Sequence, residues 1–130
     1  MKYLGIDYGT KRIGLAFSPD GKFVWSLPFV DQPGLEKISE VILKESIETI
    51  VIGTTFQTNG MTSKMGLQSK QFAEELKEKT KANIIILDEA MTSICAKDLL
   101  KPLNLSSKKL KSRIDSLSAK LLLEMYIETL

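Results

Sequence analysis

The chain contains no histidine, and its single cysteine is Cys95. An intrachain disulfide is therefore excluded, as are zinc centres built on Cys and His. Ser-His-Asp and Cys-His nucleophilic machinery cannot be assembled either. Any chemistry must run on carboxylates, hydroxyls, lysines and the backbone. Carboxylates holding magnesium or manganese, both of which accept oxygen ligands, are the natural combination. No apolar run approaches the ~20 residues that span a bilayer. The opening Met1-Lys2-Tyr3-Leu4-Gly5-Ile6-Asp7 lacks the layout of a signal peptide, because an acid interrupts its apolar segment at once. The expectation is a cytoplasmic protein. With 130 residues, 43% of them hydrophobic and 26% charged, the chain is expected to form one domain, residues 1–130, that buries a core without staples.

The first fourteen residues carry the strongest local pattern. A short apolar strand ends in Asp7; Tyr8-Gly9-Thr10-Lys11 makes a glycine turn with a hydroxyl and a cation; a second strand follows from Arg12. This predicts a hairpin with a charged tip. A carboxylate inside so apolar a strand has to be paired, hydrogen-bonded or metal-bound. Two readings of Asp7 remain open here: a cation ligand, or an acceptor of backbone hydrogen bonds in a tight turn.

Lys2 to Asp7, Arg12 to Ser18 and Lys22 to Leu27 read as an antiparallel meander, with Pro19-Asp20-Gly21 as the second turn and Pro28 ending the third strand. Leu35, Ile38, Val41 and Ile42 have helical spacing, with Asp31 near the expected cap. Thr49 to Gly53 is a β-branched run suited to a strand buried on both faces. A polar loop from Thr54 to Thr62 leads to a helix over Ser63–Lys79 that should bury Met65, Phe72, Ala73 and Leu76. Asn83 to Leu87 reads as a fifth strand, ending in Asp88-Glu89. A short helix capped by Thr92 or Ser93 should run to Leu100, and a last helix from Ser106 or Ser107 should carry Leu110, Ile114, Leu117, Leu121 and Met125 on one stripe. Trp25 and Cys95 read as core residues. The order implies an α/β fold: a five-stranded mixed sheet, antiparallel then parallel, flanked by helices.

In such sheets ligands gather at the carboxyl ends of the central strands, where both Asp7 and Asp88-Glu89 fall. Asp115, in the last helix, lies on the shoulder of its apolar stripe and could join them. Three carboxylates packed together repel one another, and divalent cations offset that repulsion. The plainer alternative is that Asp88 caps a turn and Asp115 is a half-solvated helix residue.

Four blocks of sequence, Gly5 to Gly14, Gly53 to Gly60, Asp88-Glu89 with Thr92-Ser93, and Asp115 to Ala119, together resemble the YqgF-type Holliday junction resolvase family, also described as pre-16S rRNA nucleases. The resemblance covers essentially the whole chain. It implies a ribonuclease-H-like fold, a metal-dependent phosphodiesterase acting on structured nucleic acid, and catalytic, metal-holding acids at Asp7, Glu89 and Asp115, with Asp88 as the alternative to Glu89. It leaves room for a homodimer. The sequence departs from the family pattern at two places. Ala90 stands where the family usually has Arg, and the loop that is typically Gly-x-Pro ending in Asp-Gly is here Gly53-Thr54-Thr55 ending in Asn59-Gly60.

Charge distribution points the same way. From Lys97 to Lys120 there are seven basic and two acidic residues, net +5, whereas the whole chain is only +2. Lys108, Lys109, Lys111 and Arg113, together with Lys11 and Arg12 at the hairpin tip, are the candidate phosphate contacts. A lysine-rich solvated face is the other reading of the strip. Processing of the 5′ end of pre-16S rRNA is the expected function and resolution of DNA junctions the alternative. Two further readings are an ATP-binding module of the actin type, suggested by Asp-x-Gly-Thr at a hairpin tip, and a catalytically weakened nucleic-acid-binding protein.

Overall fold

In the computed structural model of the chain the described residues are 1–9, 11–54, 64–88 and 119–130. Strands β1 (Tyr3–Tyr8) and β2 (Arg12–Ser18) form the expected hairpin. Strand β3 (Trp25–Asp31), helix α1 (Leu35–Lys44), β4 (Thr49–Thr54), α2 (Lys64–Lys79) and β5 (Asn83–Asp88) follow, and residues 119–128 are helical. The sheet order is β3-β2-β1-β4-β5, antiparallel from β3 to β1 and parallel from β1 to β5. This is the mixed sheet anticipated from the element order. Among the described residues no helix is long and apolar enough to cross a membrane.

Alternation along the strands divides the apolar residues between two faces. Leu4, Ile6, Ile13, Leu15, Ile50 and Ile52 turn toward α1 and α2 and close a core with Ile38, Ile42, Phe72 and Leu76. Tyr3, Ala16 and Val51 turn the other way, onto Ala119, Leu122 and Leu123 of the C-terminal helix. Strand β4 lies at the overlap, with Ile50, Val51 and Ile52 all at 0% exposure. Phe72, Ala73 and Leu76 of α2 are buried as its spacing predicts, while the side chain of Met65 lies outside the described residues.

Four expectations are corrected. The third strand starts at Trp25 and runs through Pro28 instead of ending there. It is an edge strand, and its register against β2 shifts between Ile13 and Leu15, so the proline sits where a missing N–H is tolerated. Trp25, expected in the core, is 59% exposed, because no strand covers that edge among the described residues. Asp31 does not cap α1; it ends β3, and Gly34 is the N-cap with no side-chain hydrogen bond. In the described part of the last helix, from residue 119, the buried residues are Ala119, Leu122 and Leu123, whereas Met125, expected on the buried stripe, is 45% exposed; Leu110, Ile114 and Leu117 lie outside the described residues, as does the short helix expected from Thr92 or Ser93 to Leu100. Both stripes are apolar, and close approach to the sheet selects the one with the small residue. A Cβ on Gly5 would lie 3.0 Å from Leu123 Cβ and 3.1 Å from the Ala119 carbonyl oxygen, so the helix backbone rests directly on β1.

Candidate active site

Asp7 is the penultimate residue of β1 and is half-buried. Its neighbours across the sheet are Gly14 on β2 and Gly53 on β4. Neither carries a side chain, so the carboxylate rises from a floor of backbone between two glycines. It shares its face with Tyr3 and Gly5, the face that receives the C-terminal helix. Continuing this row beyond Gly53, its partner on β5 is Leu87, which packs on the same side. The carboxyl ends of β1, β4 and β5 thus meet at one end of the sheet, with Asp7 on β1, the central strand of the five.

The loop after Asp7 is held from a distance. The Gln32 side-chain amide donates to the Gly9 carbonyl at 2.7 Å, and the Gln32 backbone N–H donates to the Lys11 carbonyl at 2.9 Å. Gly9 itself is required by space, since a Cβ there would collide with the Arg12 carbonyl oxygen. Gly9 and Lys11 are therefore both tied to Gln32. Nothing near residue 9 in the sequence announces Gln32; the contact exists because β3 returns alongside β2.

Lys11 is exposed at this tip, and Arg12 is half-buried, with its guanidinium carbon 4.9 Å from the centroid of the Phe29 ring. Arg12 lies two residues before Gly14 on β2, hence on the face of Asp7. On the opposite face Tyr8 packs its ring 5.0 Å from that of Phe72 and anchors the strand end to α2. The other expected site residues, Glu89, Lys108, Lys109, Lys111, Arg113 and Asp115, lie outside the described residues, as does Cys95. Lys120 is the one member of the basic strip within them. Its ammonium is 3.8 Å from the Glu124 carboxylate in an exposed pair, a contact of little energetic weight.

The sequence matches the family described as "RuvX: Holliday junction resolvase" over residues 1–129. The chain belongs to this family. Similar proteins include a "Putative pre-16S rRNA nuclease" of Maridesulfovibrio salexigens, 35% identical over 132 residues and covering 98% of both chains. Another of the same description, from Bacillus thuringiensis, is 30% identical over 138 residues and covers 99% of both. Among solved structures, Thermus thermophilus RuvC in complex with a Holliday junction substrate aligns with a TM-score of 0.60 at 14% identity, across 99% of this chain and 94% of that one. A second structure of Thermus thermophilus RuvC aligns with a TM-score of 0.54. At that identity the likeness speaks to the fold, which is ribonuclease-H-like, as the four-block family resemblance implied. The family is one of nucleases, and Asp7 lies near the end of β1, paired with Gly14 of β2.

Proposed function

We propose that this chain is a divalent-metal-dependent nuclease that cleaves phosphodiester bonds in structured nucleic acid, with the 5′ end of pre-16S rRNA as its substrate in ribosome biogenesis. The observation that carries the reading is the setting of Asp7: a half-exposed carboxylate at the end of a central strand, between two glycines, in a family of nucleases. The names of the relatives at 30–35% identity favour the rRNA precursor. The cytoplasm is the compartment that matches it.

Asp7, Glu89 and Asp115 are the acids we assign to catalysis. Two features of the fold support grouping them. Leu87, in the row of Gly53 and packed on the face of Asp7, is followed at once in the chain by Asp88-Glu89, and Glu89 is the member of that pair that the family resemblance assigns. Along β1 the helix partners move from Tyr126 at Tyr3 to Ala119 and Leu123 at Gly5. The described part of this helix begins at Ala119, shortly after Asp115 in the chain, and packs on the face of β1 that carries Asp7.

The donor set suits magnesium or manganese. It consists of carboxylates, and glycine neighbours with solvent access leave room for an ion that keeps part of its water shell. The chemistry such an ion supplies is Lewis-acid polarisation of the phosphoryl group and neutralisation of charge that builds on it. The protein's own part is to hold Asp7 on β1 beside the Gln32-anchored Gly9 and to draw the phosphate backbone in through Lys11, Arg12, Lys108, Lys109, Lys111 and Arg113.

The deciding experiment is cleavage of a 5′-extended 16S precursor and of a four-way DNA junction, each with and without magnesium, by wild type and Asp7→Asn. Magnesium-dependent cleavage of the precursor by wild type alone is the expected result, and equal rates for the two proteins would overturn the mechanism. The family description favours the junction as the second reading. Symmetric cutting of a junction calls for two sites, hence a homodimer, and the mass in solution on gel filtration would accompany that outcome.

A further inference from the structure

We propose that Phe29 and Arg12 form a stacking platform for an unpaired nucleotide of the substrate, beside Asp7 on the same face of the sheet. The identity of the ligand rests on the nuclease reading above. Simple alternation along β3 would put Trp25, Leu27 and Phe29 on one face, the face of α1 and α2. The register does not allow it. Leu15 pairs with Leu27 but Ile13 pairs with Val30, so one more residue is accommodated on β3 than on β2. Leu27 and Val30 both pack on the core under α1 and α2, and the intervening bulge delivers Phe29 to the other side, against Arg12.

That position is adjacent to the catalytic strand. Gly14, the β2 residue opposite the bulge, is the direct partner of Asp7. Two strand spacings, roughly 10 Å, therefore separate the strand of Phe29 from that of Asp7, and the residue between them has no side chain. Phe29 and Arg12 are each half-buried, so the pair keeps open surface. A guanidinium laid on a ring is a planar cation with free donors, suited to hold a phosphate while an unpaired base stacks on the exposed plane. Sequence-tolerant stacking of single-stranded bases on such planes is a general mode of nucleic-acid binding. Bases within a continuous duplex are already stacked, so the platform favours the unpaired or branched region next to the cut. The Phe29 ring and Arg12 would thus contribute to choosing which phosphodiester reaches Asp7.

The test uses Asp7→Asn protein, which binds without cutting, and oligonucleotides carrying 2-aminopurine at successive positions, in one arm a 16S leader RNA and in the other a DNA junction. One position should be quenched on binding. Adding Phe29→Leu should abolish that quench and weaken binding about tenfold, the scale of one lost base stack. Phe29→Trp should retain both, and Arg12→Lys should lose quench while keeping the salt dependence set by charge. Circular dichroism confirms that each variant is folded. An unchanged quench and affinity in Phe29→Leu would overturn the platform, as would equal losses in Phe29→Leu and Phe29→Trp. If quenching follows Phe29 but wild type cuts neither nucleic acid, the nuclease reading fails and the platform stands; if wild type cuts and Phe29→Leu binds unchanged, the platform alone fails.

Discussion

On the side of α1 and α2 the strands present Leu4, Ile6, Ile13, Leu15, Ile50 and Ile52, none more than 2% exposed. On the other side the same strands present Tyr3, Gly5, Asp7, Gly14, Ala16, Val51 and Gly53. The first face is a filled layer of branched aliphatics, each contributing roughly 1.5–3 kcal/mol through burial. The second gives up much of that volume. Glycine and alanine let one helix rest on the strands at Gly5 and leave the carboxylate of Asp7 between two bare neighbours. One face is a filled aliphatic layer and the other, packed on one helix, leaves the space in which we propose the site, and the division follows from alternation of side chains along shared strands.

Breaking the second face at its centre should have the largest effect. Asp7→Asn should lower cleavage by roughly a thousandfold or more, on the scale of removing a group that stabilises transition-state charge, in single-turnover assays. Its melting temperature should stay at or above that of wild type, the outcome that repulsion among the three proposed acids would give. The first face should respond in the opposite way. Ile50→Ala removes a fully buried side chain and should cost about 2–5 kcal/mol in urea unfolding, while leaving activity per folded molecule near normal at low temperature. Gly5→Ala tests the seam between helix and strand. The added methyl meets Leu123 and the Ala119 carbonyl at the limit of contact, so a loss of about 1–3 kcal/mol is expected, together with reduced activity because the helix is pushed off β1.

The smallest effect belongs to the turn at the far end of the sheet. The Asp20 carboxylate accepts the backbone N–H groups of Phe23 and Lys22, and these hold its pKa below the ordinary 3.8. A carboxylate with a lowered folded-state pKa contributes stability above its unfolded-state value, and that contribution is lost as pH falls through the lowered one. Asp20→Ala should therefore lower the melting temperature slightly at pH 7, with the difference from wild type closing below pH 3.8. Cleavage should be unchanged, as this turn lies at the opposite end of β2 from Asp7.

The bounds of β2 and the parallel pairing of β4 and β5 were legible because period-two patterns and a buried β-branched run are local signals. Asp7 was legible for a similar reason, as a lone acid ending an apolar strand. The third strand was misread because Pro28 is a strand-ending signal only in a central strand, and whether a strand is central is settled by its neighbours. Met125 was misread because two apolar stripes compete on the described part of the last helix, and only contact with Gly5 chooses between them there.

By itself, then, the sequence determined the kind of fold and what chemistry is excluded: without histidine, Ser-His-Asp and Cys-His machinery cannot be built, and strand and helix periods order the elements along the chain. What only the tertiary structure decided is adjacency. Gly14 and Gly53 stand beside Asp7, Gln32 reaches the Gly9 carbonyl from 23 residues away, and a bulge turns Phe29 toward Arg12. These depend on strand register, a property of pairs of strands that pattern within either strand does not encode.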